Sequence, residues 1–283
     1  MQTKTRRLTE SAMLLALAIV LELVAKMFIP ELPFGGQITI VSMLPVVLIS
    51  YRHGIKWGFV SAAAYALIEM AIGTKTLMAA FQPDYFGEGV MIVNALLMCL
   101  LDYVVAFTVL GLGGVFRRRT KSQGVALVLG ALLTGALRYT LHVIAGCTVW
   151  AGLSIPTEAA LLYSLAYNAT YMLPETLVTM LGAWYLSLAV DLRDTALSRV
   201  RSERTASRPA FWAGVLSKAA LVAAAVWNIR EIFKPLQDPE TGDFVIQNLA
   251  LVHWQTVGIV TAVGVALWLG LELVRRHLTS KPE

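Results

Sequence analysis

Seven long apolar stretches, at roughly residues 8–29, 55–73, 90–116, 125–149, 159–189, 211–230 and 254–276, limit what this chain can fold into, together with a shorter one at about 41–51. A run of about 20 apolar residues spans the hydrocarbon core of a bilayer as an α-helix. In lipid every backbone N–H and C=O must find its partner within the protein, so only helices and closed barrels cross. Nothing here alternates polar and apolar residues as barrel strands do. The expectation is therefore an all-α integral membrane protein. Composition agrees: 57% of the 283 residues are hydrophobic and 14% are charged, against roughly a quarter charged in soluble domains. The first stretch has no small-residue cleavage site and reads as a retained helix rather than a signal peptide.

A formal net charge of +5 raises the question of nucleic acid, and the placement of the basic residues answers it in the negative. Lys4, Arg6 and Arg7 precede the first stretch, and Arg52 and Lys56 follow the short second one. Arg117, Arg118, Arg119 and Lys121 form the next basic loop, Arg193 to Arg208 another, and Arg275, Arg276 and Lys281 the last. The loops between hold acids such as Glu31, Asp84, Glu88, Glu158, Asp238, Glu240 and Asp243. By the positive-inside rule this pattern predicts eight spans with both termini cytoplasmic, and it requires the short second segment. Residues 191–210 are polar and basic, as expected of a cytoplasmic linker against anionic lipid headgroups. They divide a six-helix body, residues 1–190, from a tail of two additional C-terminal transmembrane helices, residues 191–283. The tail's outer loop, Lys234 to Asp243, is rich in turn formers.

Asp102 and His142 lie inside apolar stretches, and Asn168 lies among tyrosines in the run Tyr163–Tyr171. A carboxylate at the centre of a membrane helix costs about 2.5–3.5 kcal/mol on insertion scales, so it faces protein, water or ligand rather than lipid. At 1.5 Å rise per residue, Asp102, His142 and Asn168 reach a common level roughly 12–18 Å below the outer surface. They are expected to converge on one outward-opening pocket, with Trp150, Tyr163 and the loop Pro33–Thr39 at its rim. The alternative is that the three only hydrogen-bond between helices. An acid beside Tyr103 favours a cation or a hydrogen-bond donor. Trp150, Tyr163, Tyr167 and Tyr171 offer ring faces that attract cations by roughly 0.5–2 kcal/mol each. The expected ligand is a positively charged or amino-substituted heterocycle. Trp184 and Tyr185 read as interfacial belt residues.

Other chemistries find less support. Cys99 and Cys147 read as buried apolar residues rather than a disulfide framework. No His, Asp or Glu cluster has metal-ligand spacing, no nucleophile has an obvious base, and no cofactor is indicated. Gly73–Thr76 lacks the glycine spacing of a phosphate-binding loop, so the chain is not expected to be an ATPase itself. A membrane enzyme using Asp102 and His142 as base and acid is the competing class.

Four ordered segments carry a resemblance. Gly35–Pro45 (GGQITIVSMLP), Leu101–Phe107 (LDYVVAF) with Leu110–Gly114 (LGLGG), Arg138–His142 (RYTLH) with Gly146, and Tyr163–Glu175 (YSLAYNATYMLPE) resemble the thiamine-specific S component of energy-coupling factor transporters, over about residues 8–189. The resemblance implies a six-helix protein that captures thiamine from outside. It delivers the vitamin by docking on a transmembrane coupling protein and two ATPase subunits. It also implies that Asp102, followed by Tyr103, is a ligand-binding acid, that His142 and Trp150 pack on the thiazolium ring, and that Tyr163 and Asn168 contact the aminopyrimidine. Phe34 corresponds to an aromatic of the lid loop. Ala12 and Ala16, a small-xxx-small pair that lets helices approach closely, correspond to the family's coupling surface. Gln37 stands where a small polar residue is expected and Val104 where a proline is, and an S component for another vitamin or a thiamine precursor remains an alternative. The tail has no counterpart in the six-helix family.

Overall fold

The computed structural model describes residues 2–28, 36, 38–39, 41–82, 85–86, 91–151, 157–194, 197–200, 207–236 and 245–280. Every apolar stretch of the sequence is helical: α1 (Gln2–Phe28), α2 (Met43–His53), α3 (Ile55–Ile72), α5 (Met91–Met98), α7 (Gln123–Thr148), α8 (Ala160–Ala189), α9 (Arg208–Phe233) and α10 (Trp254–Ser280). Between α3 and α5 lies a short α4 (Thr74–Ala80) that the hydropathy pattern does not announce. The helix that begins at α5 changes gauge twice. Cys99–Val105 is π-helical, one α-turn follows as α6 (Ala106–Thr108), and Val109–Gly114 winds as a tighter 3-10 helix.

Among the described residues, six helical stretches are long and apolar enough to cross a membrane: Lys4–Met27, Ile55–Ile72, Ile92–Gly114, Gln123–Thr148, Arg208–Leu236 and Trp254–Thr279. This is an all-α, multi-pass membrane protein. Two helices of the bundle fall outside that set for physical reasons. α2 has only 11 residues, and Met43–Tyr51 are all buried, so protein rather than lipid surrounds it. α8 is 30 residues long but turns Ser164, Asn168, Thr170 and Glu175 into the interior, which lowers its hydropathy.

The core joins Ala18 of α1, Met43, Val46 and Val47 of α2, Tyr65 and Ala66 of α3, and Phe107 and Leu110. Backbones approach closely where the sequence runs Leu110–Gly114: a Cβ on Gly130 of α7 would lie 2.1 Å from the Gly113 carbonyl oxygen. The Ser50 hydroxyl donates to the Gly111 carbonyl and accepts from Gly114 N–H at 3.0 Å, binding α2 to the 3-10 segment. Gly54, at φ +92°, makes the sharp break between α2 and α3 that an L side chain would resist. Ser122 caps α7, accepting from Val125 N–H at 3.3 Å. Ser207, followed by Pro209 in the first turn, starts α9 in the same way.

Three of the basic loops, those of Arg52, Arg117 and Arg193, meet at one end of the bundle, where these arginines act as staples. Arg117 donates to the carbonyls of Tyr51, Arg52 and Arg193. Arg193 returns bonds to the carbonyls of Thr120 and Lys121 and to the Tyr51 hydroxyl, and Arg52 pairs with Glu10 of α1. Helix C-termini leave carbonyls without intrahelical partners, and these guanidinium groups satisfy them. The linker also holds a feature outside the all-helical expectation, an antiparallel pair of two-residue strands, β1 (Val190–Asp191) and β2 (Ser198–Arg199). Paired backbone there leaves fewer groups to be satisfied by water.

α9 and α10 form a hairpin held by Asn228 Nδ2 donating to Thr261 Oγ1 at 2.7 Å, by a Lys218–Glu272 contact of 3.9 Å and by the fit of Gly264 against Ala224. The hairpin is fastened to α8, where the Tyr185 hydroxyl donates to the Gly214 carbonyl at 2.5 Å. Tyr185 was expected only as an interfacial belt residue, and this contact gives it a second task. At its far end Phe233 and Leu236 pack against Tyr163, Tyr167 and Tyr171. α10 itself is almost wholly exposed, which suits a helix surrounded by acyl chains.

Candidate functional site

Asp102, Tyr103, His142, Trp150, Tyr163 and Asn168 all line one cavity of about 210 Å³, together with residues of α1, α3 and α8. That volume suits a small organic molecule rather than one or two waters. Asp102 and Tyr103 reach it from the π-helical stretch Cys99–Val105. A π-bulge re-aims side chains by inserting an extra residue into the turn, and such bulges occur often at functional sites. Hydropathy carries no trace of it.

Asp102 is held on both oxygens. Oδ1 lies 2.9 Å from His142 Nδ1, and Oδ2 accepts from Trp150 Nε1–H at 2.8 Å. A carboxylate accepting at both positions fixes the His142 tautomer with hydrogen on Nδ1. The opposite nitrogen, Nε2, is buried without a partner among the described residues. In that tautomer Nε2 presents a lone pair, ready for an N–H donor. Asn168 of α8 donates through Nδ2 to the Ser164 carbonyl at 2.8 Å and to the His142 carbonyl at 3.3 Å, and its Oδ1 accepts from the Tyr171 hydroxyl at 2.5 Å. The three polar groups expected at a common depth thus do meet, and two interhelical contacts join them. They tie helices together and line the cavity at once, so the two readings weighed from the sequence are compatible.

Aromatic rings form the wall. Tyr163 and Tyr167 stack at 6.2 Å with 17° between planes. Tyr171 meets Tyr167 edge-on at 5.9 Å and His142 at 6.1 Å. Trp150 is braced from behind by Tyr85 and Phe86. Gly36 packs directly on Tyr167 and Tyr171: its N–H donates to the Tyr167 hydroxyl at 3.0 Å, and a Cβ on it would stand 2.7 Å from the Tyr171 ring. Phe34 and Gln37, on either side of Gly36 in the sequence, lie outside the described residues.

Four ionisable residues were not singled out from the sequence although they sit in the same apolar stretches. Glu175 pairs with Arg138 at 3.3 Å and accepts from the Thr39 hydroxyl at 2.9 Å, while the Arg138 guanidinium lies 4.5 Å above the Phe107 ring. Glu22 and Glu69 are buried on α1 and α3. Each is an ionisable side chain inside a span, the same signal that picked out Asp102. Among the described residues no group of three or more His, Cys, Asp or Glu is placed to hold a metal ion.

Tyr171→Phe tests the support beneath Asn168. It deletes the donor to Oδ1 and keeps the ring, and a lost neutral hydrogen bond is worth about 1 kcal/mol. Ligand affinity measured by calorimetry is expected to fall roughly fivefold.

A ring-lined polar cavity of small-molecule size lies within a helical bundle of membrane-spanning length. A family model described as "Thiamine transporter protein" matches residues 8–192. The curated protein "Thiamine transporter ThiT" of Bacillus subtilis (strain 168) is 34% identical over 181 residues, covering 61% of this chain and 85% of that protein. The chain belongs to the thiamine transporter protein family. The resemblance read from the four sequence segments is thereby borne out, and the family is one of transporters, not enzymes.

Proposed function

We propose that this protein is the substrate-capture component of an energy-coupling factor importer and that it binds thiamine in the cavity around Asp102. The observation that carries this reading is the Asp102 carboxylate, held by His142 and Trp150 at one side of a tyrosine-lined wall. Thiamine has a fixed positive charge, an amino-substituted pyrimidine and two flat rings. A carboxylate beside ring faces answers the charge and the rings, and the Asn168 amide answers the amino group. In this reading Asp102 and Tyr103 hold the charged part, His142 and Trp150 pack on the thiazolium ring, and Tyr163 and Asn168 contact the aminopyrimidine.

The six-helix body, residues 1–190, is the binding unit, and residues 191–283 are a linker and a two-helix extension. Both termini are cytoplasmic, which the gathering of three of the basic loops at one end of the bundle supports. Energy comes from a module of one transmembrane coupling protein and two ATPase subunits, with Ala12 and Ala16 of α1 as the docking surface for the coupling protein. Both alanines are exposed on the helix surface, whereas Ala18 and Ala25 face the core.

Titration of the purified chain in detergent tests the binding step. Thiamine is expected to bind one to one and to be recovered unchanged, with its separate pyrimidine and thiazole halves binding at least a hundredfold more weakly. Absence of saturable thiamine binding, or consumption of the compound, overturns the reading.

A further inference from the structure

Beside the stapled loops lies a second cavity, of about 760 Å³, between the start of α1, the break from α2 to α3 and the end of the 3-10 segment. Six of its lining side chains are basic, Arg7, Arg52, His53, Lys56, Arg117 and Arg118, and none of the described residues that line it is acidic. Glu10 pairs with Arg52 and lies 3.6 Å from His53 Nε2. Among the described residues no carboxylate pairs with Arg7, Lys56, Arg117 or Arg118. Burial, and after it the like charges of Arg52, Arg118 and Arg193, hold the Arg117 guanidinium below its usual range, with Tyr51 acting the other way. Arg7 is held over the Trp57 ring at 4.2 Å, and Trp57 is fixed in turn by Nε1–H donating to Ser11 Oγ at 2.7 Å. Arg7 Nε is nevertheless buried with no hydrogen-bond partner among the described residues. α3 also opens into this cavity, at Ile55 behind Gly54, which has no side chain to cap it. The first amides of a helix have no intrahelical partners and carry the positive end of its dipole.

Position along the helices identifies the occupant. Three of the stretches long enough to cross a membrane are Lys4–Met27, Ile55–Ile72 and Ile92–Gly114, and the cavity gathers the first turns of two and the last residue of the third. It therefore lies where hydrocarbon gives way to headgroups. We propose that this cavity is a binding site for the phosphate headgroup of an anionic membrane phospholipid, with Arg7, Lys56 and Arg118 as its charge partners and an acyl chain running along Val60. A phosphate brings the acceptors that Arg7 Nε and the first amides of α3 lack. Lys56 and Arg118 are exposed and committed to no carboxylate, whereas Arg52 and Arg117 stay on their carbonyls and add only charge. Basic pockets between spans are suited to anionic headgroups. Val60 decides between a lipid and a soluble phosphate. It lines the same cavity one turn from Lys56, is 62% exposed, and offers an apolar surface that a soluble anion does not use. The bound lipid would tie α1, α3 and the 3-10 segment together. The site is independent of the thiamine reading: Arg7 is 15 positions before Glu22, about 22 Å along α1 from the other cavity.

Equilibrium binding of labelled phosphatidylglycerol to the purified full chain in detergent tests the site, with phosphatidylcholine, inorganic phosphate and glycerol phosphate as the other probes. The wild type is expected to hold phosphatidylglycerol saturably and roughly tenfold or more tighter than phosphatidylcholine. Arg7→Gln, Lys56→Gln and Arg118→Gln are each expected to weaken phosphatidylglycerol roughly fivefold. None of the three staples a loop, and an unchanged thermal transition verifies that the variants are folded. Lys121→Gln and Arg276→Gln remove the same charge from exposed residues that do not line the cavity, and they are expected to leave the affinity within about twofold of wild type. Equal losses in these controls would show diffuse attraction to a basic surface and overturn the proposal, as would equal affinity for the two lipids or an affinity unchanged in all three cavity variants. Occupation by inorganic phosphate or glycerol phosphate at the concentration that suffices for the lipid would overturn the lipid assignment.

Discussion

Replacing Asp102 by asparagine is expected to weaken thiamine binding by roughly ten- to a hundredfold while leaving the protein folded, because the change removes charge and little else. The amide oxygen still accepts from Trp150 Nε1–H, which now lies 2.8 Å from Oδ2. The amide nitrogen falls opposite His142 Nδ1, 2.9 Å from Oδ1, and the imidazole accommodates it by moving its hydrogen to Nε2. Both interhelical contacts thus survive, at the expense of the tautomer that left a lone pair facing the cavity. The ligand loses a charge-assisted partner, worth about 1.5–3 kcal/mol, and meets a donor where it had an acceptor. His142→Ala gives a loss of similar size by deleting the imidazole. Calorimetry on purified variants with intact thermal transitions is the measurement, and wild-type affinity in both would remove Asp102 and His142 from the site.

The ease with which the sequence yields this site has a physical origin. A charged or amide side chain inside a long apolar span is expensive, so Asp102, His142 and Asn168 stand out against their surroundings. Helix rise alone brings them to one depth. Glu22, Glu69, Arg138 and Glu175 carried the same signal and were passed over because each needs its partner to be interpretable. Arg138 and Glu175 meet across α7 and α8, 37 positions apart in the chain, and no local pattern links them. The arginines were legible as a positive-inside signal, but their use as staples on the carbonyls of neighbouring loops depends on loops that meet only in three dimensions. Least legible was the π-helical stretch under Asp102. Its residues, Cys99 to Val105, are ordinary helix-compatible apolar residues apart from Asp102 and Tyr103, and hydrophobic periodicity over seven residues does not distinguish a π-turn from an α-turn.

Ala12→Trp and Ala16→Trp are expected to abolish thiamine uptake in cells while leaving thiamine affinity within twofold of wild type. The two positions are four residues apart and so share a face of α1. Both are exposed, next to Met13 and Leu17, which are 69% and 47% exposed. In lipid an apolar helix face gains no hydrophobic driving force for association, so close backbone approach across small residues supplies the attraction. An indole at either position holds a partner helix several ångströms away and removes most of that contact. The cavity is insulated from the change because Glu22 and Lys26, the α1 residues that line it, lie at least six positions further along the helix than Ala16. Uptake of labelled thiamine and calorimetry on the same variants separate the two steps. Lost binding would mean that the alanines pack inside the bundle, and retained uptake would mean that α1 docks through another face.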